Sequence, residues 1–358
     1  MKRILCLIES LGSGGAERQL TGLAAMLKQR GYSVEVWYYI DNDFYLSYLQ
    51  DNGVVGRYIQ GAIRPINRFE ELRRRIRKYK PDTIISYSSS TSMIACSLKA
   101  LGAKFKLIVS ERNTTQHITC RERLRFFVYR WANHIVPNSL SQKRFIEKEF
   151  PRLSQKINVI TNFVDLDKFS PLKQATVSIN DKTHIVCVGR MMPQKNILNF
   201  ILAISELVKK GYGLLVDWYG QDLKDTYSAE CHRLVQECNL ANVISFHNPF
   251  PDINEVYRKS DVFCLPSLYE GFPNVLCEAM SCGKPVLCSR VCDNSNIVID
   301  GENGLLFNPL SVDEMVDTIE RFVKFSSKQK FEMGLKSRKI AVSLFAENKF
   351  LSNYIDIL

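Results

Sequence analysis

A chain of 358 residues is long enough for two domains of ordinary size. Its 46% hydrophobic and 24% charged residues describe a globular protein with real cores and exclude a disordered or collagen-like one. The formal charge of +11 is one-sided: residues 1–165 hold 27 Lys and Arg against 14 Asp and Glu, and the remainder 21 against 23. An anionic partner is therefore expected for the first half; nucleic acid, acidic lipid and a phosphorylated acceptor all satisfy that charge.

No apolar run approaches the length of a bilayer span, and Glu9 cuts the run after Met1-Lys-Arg too early for a signal peptide. A cytoplasmic location is expected. The eleven cysteines have no pairing rhythm. Cys6, Cys187 and Cys264 fall in strand-like apolar runs, and Cys277, Cys282, Cys288 and Cys292 lack the short paired spacing of a zinc site. They read as buried thiols in a reducing compartment.

In chain order, Lys2 to Ile8 predicts a strand. A glycine loop, Gly12 to Gly15, a helix over Gln19–Gln29 stopped by Gly31, and a strand over Ser33–Ile40 follow. This is a βαβ unit and implies a parallel sheet. Further strands are expected at Thr83–Ser86, Lys106–Val109, His134–Val136 and Ile157–Ile160. Ser170-Pro-Leu-Lys-Gln-Ala-Thr-Val-Ser lacks periodicity and reads as a linker. The pattern then restarts with strands at His184–Gly189, Leu214–Trp218, Val243–Phe246, Val262–Leu265 and Pro285–Cys288, and Ala346–Leu358 predicts a closing helix. Two doubly wound sheets, with ligand at the strand carboxyl ends of a central cleft, is the economical α/β reading.

The most informative stretch is Ser267-Leu-Tyr-Glu270-Gly-Phe-Pro-Asn-Val-Leu-Cys-Glu278. Glu270 falls in a strand-to-helix loop and Glu278 inside the first turns of the helix. The amides at that helix start favour an anion. Carboxylates at both flanks would repel a phosphate, so they are expected to accept hydrogen bonds from neutral hydroxyls. A diphosphate with hydroxyls at each end is a nucleotide sugar. Arg190 and Lys195, directly after a strand and shaped by Pro193, suit two cations gripping its diphosphate. The Gly12–Gly15 loop lets amides approach a phosphate, although a plain tight turn explains it nearly as well. It has neither dinucleotide-binding nor Walker spacing.

Glu270 to Glu278, followed by Gly283-Lys-Pro285-Val, resembles the signature of retaining glycosyltransferases of the GT-B fold, family 4. Val188-Gly-Arg190-Met-Met-Pro-Gln-Lys195-Asn is similar to that family's phosphate clamp. Ile157-Asn-Val-Ile-Thr-Asn162-Phe-Val-Asp165 resembles the strand entering the linker, with Phe163 where a Gly is usual. Gly301-Glu-Asn-Gly304-Leu-Leu-Phe resembles the late loop behind the donor site. The resemblance implies two Rossmann-like domains: residues 1–168 binding the acceptor, residues 169–344 binding the nucleotide sugar, and residues 345–358 as a helix crossing back to the first. It implies that Glu270 contacts the donor sugar and Glu278 the ribose. The donor set becomes Gly14, Gly15, Arg190, Lys195, Glu270, Gly271, Phe272, Pro273, Asn274 and Glu278, with Glu270, Arg190, Lys195 and Arg112 as the catalytic group.

Many family members carry a His near Arg112, in a segment that here reads Ser110-Glu111-Arg112-Asn113; some relatives that build bacterial surface glycans have a similar one. Arg112 stays protonated and cannot be a base, but it could hold a phosphate. His117 reads as incidental, and His184, His232 and His247 as structural. Asp165-Leu-Asp167 lies near the linker rather than at a strand end, so no metal and no cofactor are expected. The expected reaction is retaining transfer from a UDP-sugar to a lipid-diphosphate-linked or glycan acceptor in bacterial surface-polysaccharide synthesis, at the inner face of the membrane. Two basic stretches, Arg68–Lys80 and Arg121–Trp131, fit interfacial helices on anionic lipid as well as ordinary amphipathic surface helices. A GT-B-fold sugar-nucleotide epimerase is the competing enzyme. A basic nucleic-acid-binding module is the non-enzymatic alternative; it explains neither glutamate, and no partner of that kind is expected.

Overall fold

A computed structural model describes residues 1–61, 65–112, 115, 118–172 and 182–358, Pro65 by its backbone alone. His117, Asn113 and most of the linker segment lie outside the described residues. The chain divides into two compact units, Met1–Phe163 with Asn348–Leu358, and Val164–Glu347.

In the first unit the order is β1 (Arg3–Leu7), α1 (Gly15–Gln29), β2 (Ser33–Tyr38), α2 (Leu46–Asp51), β3 (Val55–Tyr58), α3 (Pro65–Tyr79), β4 (Thr83–Ser86), α4 (Ser89–Ala100), β5 (Lys106–Glu111), α5 (Cys120–Val128), β6 (His134–Pro137) and α6 (Leu140–Glu149). The strands form one sheet, β3-β2-β1-β4-β5-β6, parallel throughout. Ile4, Leu5, Cys6 and Leu7 are all fully or nearly fully buried, because helices cover both sheet faces and every side chain of a central strand meets a core. One face packs Leu20, Leu23 and Leu27 of α1, and the other Leu72 and Ile76 of α3 and Phe126 of α5.

The second unit repeats the plan. Its order is β7 (Thr183–Val188), α7 (Ile197–Lys209), β8 (Leu214–Tyr219), α8 (Thr226–Glu237), β9 (Ile244–His247), α9 (Ile253–Lys259), β10 (Val262–Leu265), α10 (Asn274–Ser281), β11 (Val286–Ser289), α11 (Asn294–Ile297), β12 (Gly304–Phe307), α12 (Val312–Val323) and α13 (Ser327–Phe345). The sheet order is β12-β11-β10-β7-β8-β9. Strand order reverses between β7 and β10, and that switch point is where open α/β sheets hold ligands at their carboxyl ends.

Residues Glu347–Ile355 form α14, and Phe350, Leu351 and Tyr354 pack into the first unit's core. Phe163, which stands where the resemblance expects Gly, has a local reason. Its backbone N–H donates to Gln19 Oε1 and its carbonyl accepts from Gln19 Nε2, at 3.0 and 2.9 Å. Its ring fills the space over Gly22, where a Cβ would stand 2.4 Å from Phe163 Cζ.

Two expectations are corrected. Ile157–Ile160 is not a strand. Asn158 and Ile160 donate to the carbonyls of Ile135 and Pro137, but only one bridge forms, at Ile157, since Pro137 has no N–H with which to extend the ladder. Gly301–Phe307 is only partly a loop, because Gly304–Phe307 is β12 and pairs in parallel with β11.

Candidate active site

The second unit gathers its functional side chains at the switch point. β7 ends at Val188, and the chain runs through Gly189 and Arg190 into a 3₁₀ turn at Pro193–Lys195. Gly189 has no Cβ to block the Lys195 stem; a methyl there would lie 2.8 Å from Lys195 Cε. The lysine therefore folds back over the strand end. Asn196 then takes a left-handed conformation at φ 56, one that asparagine tolerates better than most residues. Its buried Nδ2 donates to the carbonyls of Pro266 and Pro309 at 3.1 and 2.7 Å.

From β10 the chain passes through Ser267, Tyr269 and Glu270 to α10. Leu268 N donates to Gln194 O and Gln194 Nε2 to Tyr269 O, both at 2.8 Å, which stitches this loop to the one after β7. Lys195 Nζ meets Glu270 Oε1 at 2.6 Å, with side-chain exposures of 14% and 9%. Glu270 N donates to Cys292 Sγ at 3.4 Å, and burial pushes the Cys292 thiol up. Phe272 is buried, with its ring edge-on to Phe345, and anchors the turn between Gly271 and Asn274. Pro273 precedes α10 and offers no capping side chain, Asn274 N donates to Phe272 O at 2.9 Å, and the first turn points its backbone N–H groups toward the strand ends as helix starts do.

Glu278 is the fifth residue of α10 and is 3% exposed. It accepts from Tyr257 OH at 3.3 Å. Arg190 is exposed and in no ion pair among the described residues. The arrangement holds two carboxylates, a paired lysine, a free-standing arginine and a helix amino end at the carboxyl edge of β7 and β10. Such a group can accept hydrogen bonds from hydroxyls and neutralise a phosphate-type anion.

Sequence reasoning assigned no role to three side chains here. Asn196 bridges two loops, Tyr257 donates to Glu278, and Ser267 Oγ is buried with no partner among the described residues. Asn196 stood inside the motif already quoted. Tyr257 could not be found by spacing, since it reaches Glu278 from the neighbouring helix.

In the first unit Gly14 caps α1 and Gly15 is its first residue, both exposed. Ser10 Oγ donates to Glu17 Oε1 of that first turn at 3.2 Å. Arg112 is engaged on several sides: its guanidinium donates to Asn162 Oδ1, Tyr87 OH and Tyr354 OH, each at 2.6 Å, and stacks over the Tyr87 ring. Preceding it, Glu111 is buried and faces Arg125 at 3.4 Å, while Tyr129 OH donates to it at 2.7 Å. Burial pushes the Glu111 carboxyl up, against the pull of Arg125 and the Tyr129 hydroxyl. Of the basic stretch that fits a lipid-facing helix, Arg125 thus turns inward, 7% exposed. No described helix is long and apolar enough to cross a membrane.

Comparison with known proteins identifies the family. Residues 169–339 match the Glycosyl transferases group 1 family and residues 13–168 match Glycosyltransferase Family 4. One relative is the UDP-Gal:alpha-D-GlcNAc-diphosphoundecaprenol alpha-1,3-galactosyltransferase of Escherichia coli, 26% identical over 69% of this chain and 67% of its own. Another is the GalNAc-alpha-(1->4)-GalNAc-alpha-(1->3)-diNAcBac-PP-undecaprenol alpha-1,4-N-acetyl-D-galactosaminyltransferase of Campylobacter jejuni, 27% identical over 78% of this chain and 77% of its own. Among solved structures, a glycosyltransferase from Rickettsia africae superposes with a TM-score of 0.87 at 18% identity, covering 99% and 97% of the two chains. Anabaena Alr3699/HepE in complex with UDP gives 0.86 at 18%, covering 99% of each. The two family matches together span residues 13–339, and with the paired six-stranded sheets they establish that the chain belongs to the family 4 glycosyltransferases of the GT-B fold.

Proposed function

We propose that this glycosyltransferase is retaining and metal-independent, and moves a sugar from a UDP-sugar to a diphosphate-lipid-linked acceptor in bacterial surface-glycan synthesis. The observation that carries the reading is the Lys195–Glu270 pair beside the open amino end of α10. In the reaction the bond from the anomeric carbon to the β-phosphate oxygen breaks, and its electron pair leaves with the UDP. Arg190, Lys195 and the α10 amides neutralise that developing charge. The acceptor hydroxyl attacks the same face of the oxocarbenium-like sugar, and a phosphate oxygen of the leaving UDP takes its proton. Glu270 accepts from donor-sugar hydroxyls and orients Lys195, and Glu278 accepts from the ribose. Arg112, whose Nη groups donate to Tyr87, Tyr354 and Asn162, fastens α14 to the rest of the first unit, and we assign it that positioning role in place of a catalytic one. The acceptor class rests on the Escherichia coli and Campylobacter jejuni relatives, whose names specify undecaprenol-linked substrates.

Work on a lipid-linked acceptor calls for a membrane-facing surface, and α5 supplies one. The buried Arg125–Glu111 pair and Phe126 fix the helix's inner face. Leu124 and Phe127 are left 53% and 52% exposed, beside exposed Arg121 and Arg123. Arg130 stacks over both Phe127 and Trp131. Apolar rings among cations suit an anionic interface.

The deciding experiment measures nucleotide release from a panel of UDP- and GDP-sugars, with and without an undecaprenyl-diphosphate sugar acceptor, in EDTA, followed by NMR of the product's anomeric centre. Acceptor-dependent UDP release with retained configuration is expected. Inversion, strict GDP-sugar use, or activity abolished by EDTA and restored by Mg²⁺ would each overturn its part of the proposal.

A further inference from the structure

We infer that the first unit carries a second anion site, remote from its glycine loop, that takes a phosphate-bearing ligand. A pocket of about 530 Å³ opens at the amino ends of β1, β4 and β5. Five cationic side chains line it, Arg3, Arg73, Arg77, Lys80 and Lys104, against one carboxylate, Asp82. The volume lies in the range of small-ligand sites. The loop bearing Gly14 and Gly15 follows the opposite end of β1. At about 3.3 Å per residue, the five residues of β1 separate the two by roughly 15 Å.

The simplest rival explanation is that these cations only compensate helix ends. α3 and α4 both finish here, and each helix terminus carries about half a negative charge. Arg3 does serve that purpose, since its Nη1 donates to Tyr79 O at 2.8 Å. Arg73 is partly satisfied by Glu70 at 3.4 Å, and Asp82 accepts from Arg3 N. Two helix ends, Asp82 and Glu70 amount to about three negative charges against five positive ones. The surplus sits on Arg77, Lys80 and Lys104, which are exposed and make no ion pair among the described residues.

Lys80 sharpens the point. It occupies a left-handed conformation, φ 52, just past the end of α3, a position that favours glycine. The lysine there places a cation at the lining of the pocket. The pocket floor is apolar, with Ile76, Leu98 and Phe105 buried, which lowers the local dielectric and strengthens attraction for an anion. Three cations in no ion pair among the described residues, with a surplus of about two charges over an apolar floor, suit a ligand with more than one negative charge. A diphosphate, or the phosphates of anionic headgroups, fits.

The probe is inorganic pyrophosphate, titrated calorimetrically into the full chain at low salt. The variants are Arg77→Gln/Lys80→Gln/Lys104→Gln, Lys80→Gly and, to mark the candidate donor site, Lys195→Gln. The triple variant is expected to weaken a pyrophosphate site about a hundredfold, at about fivefold per cation. Lys80→Gly, which suits the backbone, should unfold no earlier than wild type yet weaken the site about fivefold. Sedimentation with phosphatidylglycerol vesicles, with and without pyrophosphate, identifies the source. Vesicle binding that pyrophosphate competes and the triple variant weakens marks a lipid headgroup; a pocket that binds pyrophosphate while vesicle binding ignores both marks a soluble anion. Pyrophosphate and vesicle binding both unchanged in the triple variant, or absent from the wild type, overturns the inference. Loss of pyrophosphate binding in Lys195→Gln alone, with the triple variant unchanged, overturns it as well and leaves the donor-site reading standing.

Discussion

Lys195→Met tests whether the lysine and Glu270 act as one unit. At 2.6 Å and an effective dielectric near 20, their attraction is about 6 kcal/mol before desolvation, which costs several kcal/mol per ion. The pair's net worth is therefore modest. Removing the lysine, however, leaves the desolvated Glu270 carboxylate without its cation, and breaking a buried pair in this way costs about 3–5 kcal/mol. Because Glu270 borders a loop, the lower figure is expected. Glu270→Gln removes the charge from the other side, and with both replaced no uncompensated ion remains. The double variant should then cost about 1.5–3 kcal/mol less than the sum of the singles.

Urea unfolding in a Trp37→Phe/Trp131→Phe background reads this out, since Trp218 then reports the second unit alone. Trp218 is buried and its Nε1 donates to Gly189 O at 2.8 Å, directly under the lysine. Lys195→Met should also slow UDP release by about 2–4 kcal/mol in barrier, as loss of a preorganised donor does. Additive costs within about 0.5 kcal/mol, or a wild-type unfolding midpoint for Lys195→Met, would refute the coupling.

Glu278→Ala should weaken UDP binding by about 1.5–3 kcal/mol; unchanged affinity by calorimetry would remove the ribose assignment. Arg190→Ala is expected to cost about 2–4 kcal/mol in kcat/KM with little effect on unfolding, since Arg190 is exposed and in no ion pair among the described residues. Leu124→Ser/Phe127→Ser and Arg121→Gln/Arg123→Gln should each weaken sedimentation with phosphatidylglycerol vesicles, the second pair by about 2 kcal/mol, while UDP affinity holds; equal binding by all three proteins would refute α5 as the interface. Asp217 carries the pH prediction. The His184 side chain, with His247 on its other oxygen, holds the carboxyl below its ordinary 3.8. A depressed folded pKa contributes stability above 3.8 that is lost as pH falls through the folded value. The melting-temperature gap between wild type and Asp217→Asn should therefore be full near neutrality and close in acid below 3.8; a pH-independent gap would contradict it.

The strands buried on both faces were the legible part of the fold. Thr83–Ser86 is completely buried, so its apolar run has no competing interpretation. β3 escapes the same reasoning because it is an edge strand with exposed and half-buried residues, and its Arg57 is held from outside by Glu35 at 2.6 Å. α13 escapes for a different reason. Its inward positions include Gly334, Ser337 and Ala341, which carry no hydrophobic signal. They are small because the backbone of the α10 turn comes close: a Cβ on Gly334 would sit 2.2 Å from Gly283 O. Close packing between helices selects for size, and a search for apolar periodicity does not detect it.

The site divides in the same way. Glu270, Glu278 and Arg190 could be read from their motifs, yet the pairing of Lys195 with Glu270 spans 75 positions and exists only because β10 lies beside β7. Arg121, Arg123 and Arg125 are equivalent in sequence, alternating along one basic run. Their fates separate because a helix turns 100° per residue, which brings Arg125 alone over the end of β5. There the buried Glu111 carboxylate needs a cation, and Ser89 Oγ and Thr115 Oγ1 accept from Nη1 and Nη2 of the guanidinium at 2.9 and 3.1 Å. The exposed arginines can then serve an external anion because the third one has satisfied the internal one. That division follows from one buried acid on a strand, so Glu111→Gln should speed amide hydrogen exchange along α5, whereas Arg121→Gln should leave it at the wild-type rate; equal exchange in the two variants would refute it.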